Sequence, residues 1–196
     1  MTDAILERLA AQPKLCPQFH IALQSGCDAT LKRMNRHYTT PEFATLCDKL
    51  RTLFPHCALT TDVMVGFPGE TDEEFSDSLD FVRAMAFSRV HVFAYSRRHG
   101  TVADRMPHQV PAAVKTDRSR HMIAAAADSA AAYAASYVGT TTAVLLETEH
   151  EDGTVDGHTD TYITVRVNTA HRSGEIVPVT ITTVDGDTLI GIDATS

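Results

Sequence analysis

The chain has 196 residues, of which 43% are hydrophobic and 21% charged. At roughly 150 residues per domain this allows one modest core and a small second unit. No run approaches the roughly 20 apolar residues of a membrane span, and the opening MTDAILERLA is acidic where a secretory signal is basic, so no membrane partner and a cytoplasmic location are expected. The formal charge of −8 argues against a general polyanion-binding surface. The charge is uneven, however: from Val138 onward there are ten acidic residues against two basic ones, Arg166 and Arg172, and the remainder is neutral.

In chain order, a helix over about Ala4–Ala11 precedes a short apolar run, Phe19–Leu23, and a helical pattern from Pro41 to Phe54. Ala58–Val65 then reads as a strand, Thr71–Ala86 as a helix and Val90–Phe93 as a third strand, followed by a long helix over about Pro111–Ser136. Strands alternating with helices of this length indicate βαβ units on a parallel sheet. Thr40 before Pro41 and Glu42 is an expected N-cap, and Thr71 with Glu74 forms an expected capping box. The stripe Phe75, Leu79, Val82, Met85 has helical spacing and reads as core packing. The Ala-rich stretch 123–135 reads as a connecting helix.

After Tyr137 the texture becomes β: Thr141–Glu149, Tyr162–Val167, Ile176–Val184 and Thr188–Ile192, with turns expected at Asp152-Gly153, Asp156-Gly157, Ser173-Gly174 and Asp185-Gly186. Four or five short strands with such turns suit a small closed barrel. The expected division is therefore 1–137 and 138–196.

Cys16, Cys27, Cys47 and Cys57 include no close pair, as structural metal sites usually do, so reduced buried or half-buried thiols are expected. His20, His91 and His121 have no partner at ligand spacing. No metal-ligating residue is nominated.

Three strand ends carry the polar chemistry, and ligands of parallel α/β folds bind at the carboxyl ends of strands. The first ends in Gln24-Ser25-Gly26-Cys27, with Lys32, Arg33 and Arg36 following; Arg36 suits a carboxylate, although a solvated basic helix end is the alternative. The second runs through DVMVGFPGET, Asp62–Thr71, where Gly66 and Gly69 allow close backbone approach; it lacks the spacing and lysine of a phosphate-binding P-loop. The third delivers Tyr95, Arg97 and Arg98, a ring and two cations suited to a nucleotide or RNA.

The segments HIALQSGCDATLKRMNRHYT, TTDVMVGFPGET and VHVFAYSRRHGTVADRM, in this order, resemble the later half of the radical S-adenosylmethionine barrel of methylthiotransferases, and residues 138–196 resemble the TRAM domain that follows it. The resemblance implies an α/β fold: half of a TIM-type βα barrel, then a small all-β, OB-like barrel. It implies a transferase of tRNA modification, one that adds a methylthio group to C2 of N6-threonylcarbamoyladenosine beside the anticodon. Enzymes acting on isopentenyladenosine or a ribosomal protein are the near alternatives.

By the same resemblance the cofactor is S-adenosyl-L-methionine. Gln24 and Ser25 face its ribose and methionine, Arg36 its carboxylate, Asp62, Gly66, Gly69 and Glu70 its adenosyl part, and Tyr95 its adenine side, while Arg97 and Arg98 face substrate RNA. The implied partners are the tRNA anticodon stem-loop and a reductant. Two [4Fe–4S] clusters are implied for the family, but the CxxxCxxC loop that holds the first is not in this sequence, nor are ligands for the second. Alone, the chain is therefore expected to be inactive, and a non-catalytic RNA-binding module is the competing expectation. An uncovered parallel edge and apolar faces are also expected of half a barrel.

Overall fold

The computed structural model describes residues 2–195. Helix α1 (Asp3–Ala10) leads to strand β1 (Gln18–His20), then to α2 (Asp28–Arg33), α3 (Thr40–Leu53), β2 (Ala58–Val65), α4 (Asp72–Met85), β3 (Arg89–Ala94) and the long α5 (Ala112–Ala135). The three strands form a parallel sheet in the order β1-β2-β3. Both connections between its strands run through helices, as parallel pairing requires.

Strand β1 is shorter than its apolar run suggested. Thr61 explains this: its hydroxyl donates to the Ile21 carbonyl (2.6 Å) and accepts from the Leu23 amide (2.9 Å), taking ladder positions that backbone would otherwise fill. Pairing resumes at Gln24, whose amide donates to the Asp62 carbonyl at 2.8 Å, with Gln24 in the left-handed region at φ 67°. The six-residue α2 ends in Lys32 and Arg33, the basic helix end that was the alternative reading of this segment. A further correction concerns α3, which is capped by Thr39 rather than Thr40, with Glu42 completing a capping box; the box at Thr71 and Glu74 forms as expected.

One face of the sheet packs on the helices. Leu23, Leu59, Val63 and Val65 meet Phe43, Leu50, Val82, Met85, Phe87 and Met122 in a single buried cluster. Val82 and Met85 of the predicted stripe are buried there, and Phe75 and Leu79 are half-buried against it. The opposite face carries His20, Asp62 and His91, with Met64 and Phe93 toward the strand ends. The uncovered face is thus more polar than expected of half a barrel; Phe93, 51% exposed, is its main apolar element.

The remaining strands, β4 (Thr141–Glu149), β5 (Thr154–Thr159), β6 (Thr164–Asn168), β7 (Ile176–Asp185) and β8 (Thr188–Asp193), close a barrel in the order β4-β5-β6-β8-β7. Only β6 and β8 pair in parallel. Register shifts in β4 at Leu146/Thr148 and in β7 at Ile181/Thr183 add the local twist that closure needs. Val144, Leu146, Val165, Val179, Ile181 and Leu189 fill the interior, and Ala134 and Tyr137 from the end of α5 join the same cluster.

Strand β5 corrects the turn expected at Asp156-Gly157, which lies inside it. There glycine serves packing, since a Cβ at Gly157 would sit 2.2 Å from the Leu145 carbonyl oxygen of the neighbouring strand. The turns at Asp152-Gly153, Ser173-Gly174 and Asp185-Gly186 do form, each with its glycine at positive φ.

Candidate functional site at the strand ends

The three expected strand ends do converge. Gln24 bridges to Val63 of β2, and the Tyr95 amide donates to the Val65 carbonyl at 2.9 Å, so the loops leave side by side from one edge of the sheet. The first end is held from two directions. Tyr38 donates to the carbonyls of Ala22 (3.0 Å) and Leu23 (2.8 Å), and the Gly26 amide donates to Ser78 Oγ on α4 (2.8 Å). Gly26 is needed for that approach, because a Cβ would lie 2.7 Å from Phe81 Cβ and 2.8 Å from the Ser78 carbonyl oxygen.

The second loop is pinned by a buried ion pair. The Glu70 carboxylate accepts from the Gly66 amide (2.8 Å) and from Arg118 Nη1 (2.7 Å), while Arg118 Nη2 reaches Asp72 at 2.7 Å. Arg118 is 5% exposed and Glu70 7%. Burial pushes the Glu70 carboxyl upward, against the opposing pull of the Gly66 amide and Arg118. Lys115, one turn earlier on α5, donates to the Tyr95 carbonyl at 2.8 Å and runs across Gly66, where a Cβ would meet Lys115 Cγ at 2.3 Å. Helix α5 thereby ties the second and third strand ends together.

Not every nominated residue stands at the shared edge. Gln24 and Asp62 are half-buried on or beside the uncovered face, Asp62 lying 3.4 Å from His20 Nε2. Ser25 is buried and accepts from the Cys27 amide, which turns its hydroxyl inward. Gly66 and Gly69 take the positive φ their loop needs, but side chains of this protein, Lys115 and Arg33, occupy the space above them. Tyr95 is 7% exposed and its hydroxyl is buried without a partner among the described residues. Arg36 is exposed at the surface. Arg33 is the arginine beside the loop: it pairs with Glu74, which lowers that carboxyl, and its Nε is buried without a partner near Gly69. Arg97 is engaged by Asp104 at 3.0 Å within its own loop, whereas Arg98 is exposed.

Lys115 and Arg118 were not nominated, and Arg33 was named only alongside Arg36. No local pattern marks their roles, since each reaches a partner 20 or more residues away.

The chemistry of the donors separates the two implied cofactors. The donor types suit a nucleoside-containing ligand: the Tyr95 hydroxyl and Arg33 Nε are buried and unpartnered among the described residues, and the Gln24 amide group and Asp62 carboxylate stand half-buried on or beside the uncovered face. An iron–sulfur cluster does not fit: Cys27, Cys47 and Cys57 are buried, Cys16 is exposed, and among the described residues no group of three or more His, Cys, Asp or Glu is placed to hold a metal. Burial pushes the Cys47 thiol up to about 12 and raises Cys57 as well, the opposite of what a thiolate ligand requires.

A parallel sheet with polar loops at one edge is followed by a closed five-stranded barrel. Residues 1–82 match the radical SAM superfamily and residues 135–192 the TRAM domain. Among relatives, the threonylcarbamoyladenosine tRNA methylthiotransferase MtaB of Thermotoga maritima is 37% identical over 99% of this chain and 44% of its own length, and that of Bacillus subtilis 41% identical over 92% and 41%. A tRNA-2-methylthio-N(6)-dimethylallyladenosine synthase of Rhodococcus jostii is 49% identical over 63% of this chain and 24% of its own length. The chain is similar to these tRNA methylthiotransferases and spans less than half their length. The fold also resembles coproporphyrinogen III oxidase (HemN) of Escherichia coli, with TM-score 0.55 and 22% identity over 66% of this chain and 30% of that one.

Proposed function

We propose that this chain serves a tRNA methylthiotransferase, supplying the nucleoside-binding strand ends and the TRAM barrel, and that the base modified is N6-threonylcarbamoyladenosine beside the anticodon. The observation that carries the reading is the convergence of the Gln24, Asp62–Glu70 and Tyr95 loops on one sheet edge, locked by α5. S-adenosylmethionine, when bound, supplies the adenosyl and methyl groups of the chemistry. Gln24 and Asp62 would contact its polar groups, Tyr95 would close the adenine side, and Glu70, Gly66 and Gly69 would hold the loop in shape. Arg33 replaces Arg36 in this proposal as the cation beside the loop, and Arg98 is the arginine available to RNA.

We take residues 1–137 as the cofactor side and 138–196 as the barrel, with Ala134 and Tyr137 of the first part packing into the barrel's core. Among the described residues no helix is long and apolar enough to cross a membrane; the role proposed is cytoplasmic, beside tRNA and a reductant. Because the thiols present do not fit a cluster, the chain by itself would not turn over. Anaerobic iron–sulfur reconstitution of the chain, followed by mass spectrometry of tRNA, tests this: methylthiolated product from the chain alone would overturn the claim. Grafting this chain in place of the matching segment of the Bacillus subtilis relative, in a strain that lacks the modification, and finding methylthio-dimethylallyladenosine as the product, would overturn the substrate.

The buried, separate thiols also favour a second reading, in which the chain acts as a non-catalytic RNA-binding module. The steepness of its tRNA affinity with salt reports the phosphate contacts it makes. Binding of S-adenosylmethionine by the chain would count against that reading.

A further inference from the structure

Away from the strand ends, a cleft of about 340 Å³ lies between the sheet, α5 and the barrel. Its floor is the face of α5 bearing Ala127, Ala130, Ala131 and Ala134, one wall holds Ser88 and Arg89 at the start of β3, and the other holds Tyr162 of the barrel. The start of β2, at Thr60, also opens on it. Five residues separate Thr60 from Val65, so at about 3.3 Å per residue the cleft is roughly 16 Å from the strand-end loops. It is a different site from the one described above.

Tyr162 has three unusual features. It is 72% exposed. Its backbone has φ 68°, a conformation that is a genuine outlier for a bulky side chain and that surrounding structure must sustain. Its ring stacks on His158 with centroids 4.8 Å apart and planes at 19°, and His158 is itself held by Glu147 on β4. One face of the ring is therefore braced and the other free. Across the cleft, Arg89 is exposed and has no side-chain partner among the described residues.

We propose that this cleft binds an unpaired nucleobase of an RNA, stacked on the free face of Tyr162, with Arg89 contacting the adjoining phosphate. The inference rests on the reading that the chain serves a tRNA-modifying enzyme. A braced aromatic face takes any base, because every base has a π-face. The charge of the surroundings favours the neutral base over the backbone inside the cleft: the barrel is strongly acidic and Asp187 stands on the rim, leaving Arg89 as the one cation lining the cleft. An alanine floor lets a flat ring lie close to the helix. This base would be distinct from the one presented at the strand ends, so the cleft would hold the RNA in register while another nucleotide reacts.

The test uses the full chain and a fluorescein-labelled RNA hairpin with a single-stranded loop, read by anisotropy. Tyr162→Asn keeps a residue that tolerates positive φ but removes the ring, and should weaken binding about tenfold, within the range for loss of one stacked base. Tyr162→Phe keeps the ring and should bind as the parent does. Arg89→Ala should weaken binding and reduce the salt slope by about one. A Tyr162→Asn variant that folds, by circular dichroism, and binds like the parent would overturn the proposal. So would a blunt duplex that competes as well as the hairpin. Binding of S-adenosylmethionine, measured separately by calorimetry, reports on the strand-end reading and is expected to be unaffected by either substitution.

Discussion

Arg118→Met tests whether the loop at the strand ends is held by a buried ion pair. The substitution keeps the aliphatic stem but removes the guanidinium, whose carbon lies 5.4 Å from the Phe75 ring centroid and whose nitrogens donate to Glu70 and Asp72. Asp72 is solvated, its side chain 91% exposed, and loses little; the Glu70 side chain is 2% exposed and keeps only the Gly66 amide. Removing one partner of a buried pair costs about 3–5 kcal/mol, a large part of the roughly 5–15 kcal/mol that stabilises a domain.

The helices all lie before Val138, so urea unfolding followed by helical circular dichroism reads this half of the molecule separately from the barrel. Adding Glu70→Gln should recover most of the loss, because no charge is then stranded. The pH dependence has a defined sign. Without Arg118, burial raises the Glu70 carboxyl further, so the folded state binds a proton that the unfolded chain has released, and the deficit of the single variant shrinks as pH falls through the folded value. A loss below about 1 kcal/mol for Arg118→Met, or a double variant as unstable as the sum of the two single ones, would refute the reasoning.

Gly26→Ala should destabilise by about 1–3 kcal/mol in the same urea assay, because the added methyl meets the Phe81 Cβ and the Ser78 backbone; Phe81→Leu, which keeps that Cβ, should not relieve the penalty. In the barrel, Asp156 is held down to about 2 by the two hydrogen bonds from Arg166, with His150 adding to it, and Asp193 to about 2 by Thr169 and Thr195. Their stabilisation is complete above the unfolded value near 4 and is lost as pH falls toward 2, so an acid titration of the barrel's amide NMR spectrum should show loss of dispersion in that window, moved to higher pH by Arg166→Ala. Tyr133→Phe removes the hydroxyl that donates to the His56 carbonyl at 2.7 Å and should cost about 0.5–1.5 kcal/mol, seen as a lower Tm.

Much of this architecture was written in local sequence. The Thr71-Glu74 box, the apolar run of β2 and the helical stripe ending at Val82 and Met85 act through neighbours a few residues away, and they formed where their pattern placed them. The motif of Asp62–Thr71 marked the loop, and the turns at Gly153, Gly174 and Gly186 marked most of the barrel. Misreadings arose where a distant group intervened. Asp156-Gly157 has the composition of a turn but serves the close approach of β4, and the run after Phe19 breaks because the Thr61 hydroxyl enters its ladder.

The site divides in the same way. Sequence nominated the strand ends as the candidate site, since a parallel sheet presents its loops at one edge whatever the side chains are. Which side chains reach that edge was decided by tertiary structure: Arg33 rather than Arg36 stands beside Gly69, Ser25 turns inward, and Lys115 and Arg118 arrive from a helix that sequence marked only as a connector. The cleft at Tyr162 likewise exists only once barrel, sheet and α5 are assembled. Covalent neighbours set propensity and turn chemistry, whereas ion pairs, close approaches and clefts are properties of segments that the chain brings together only by folding.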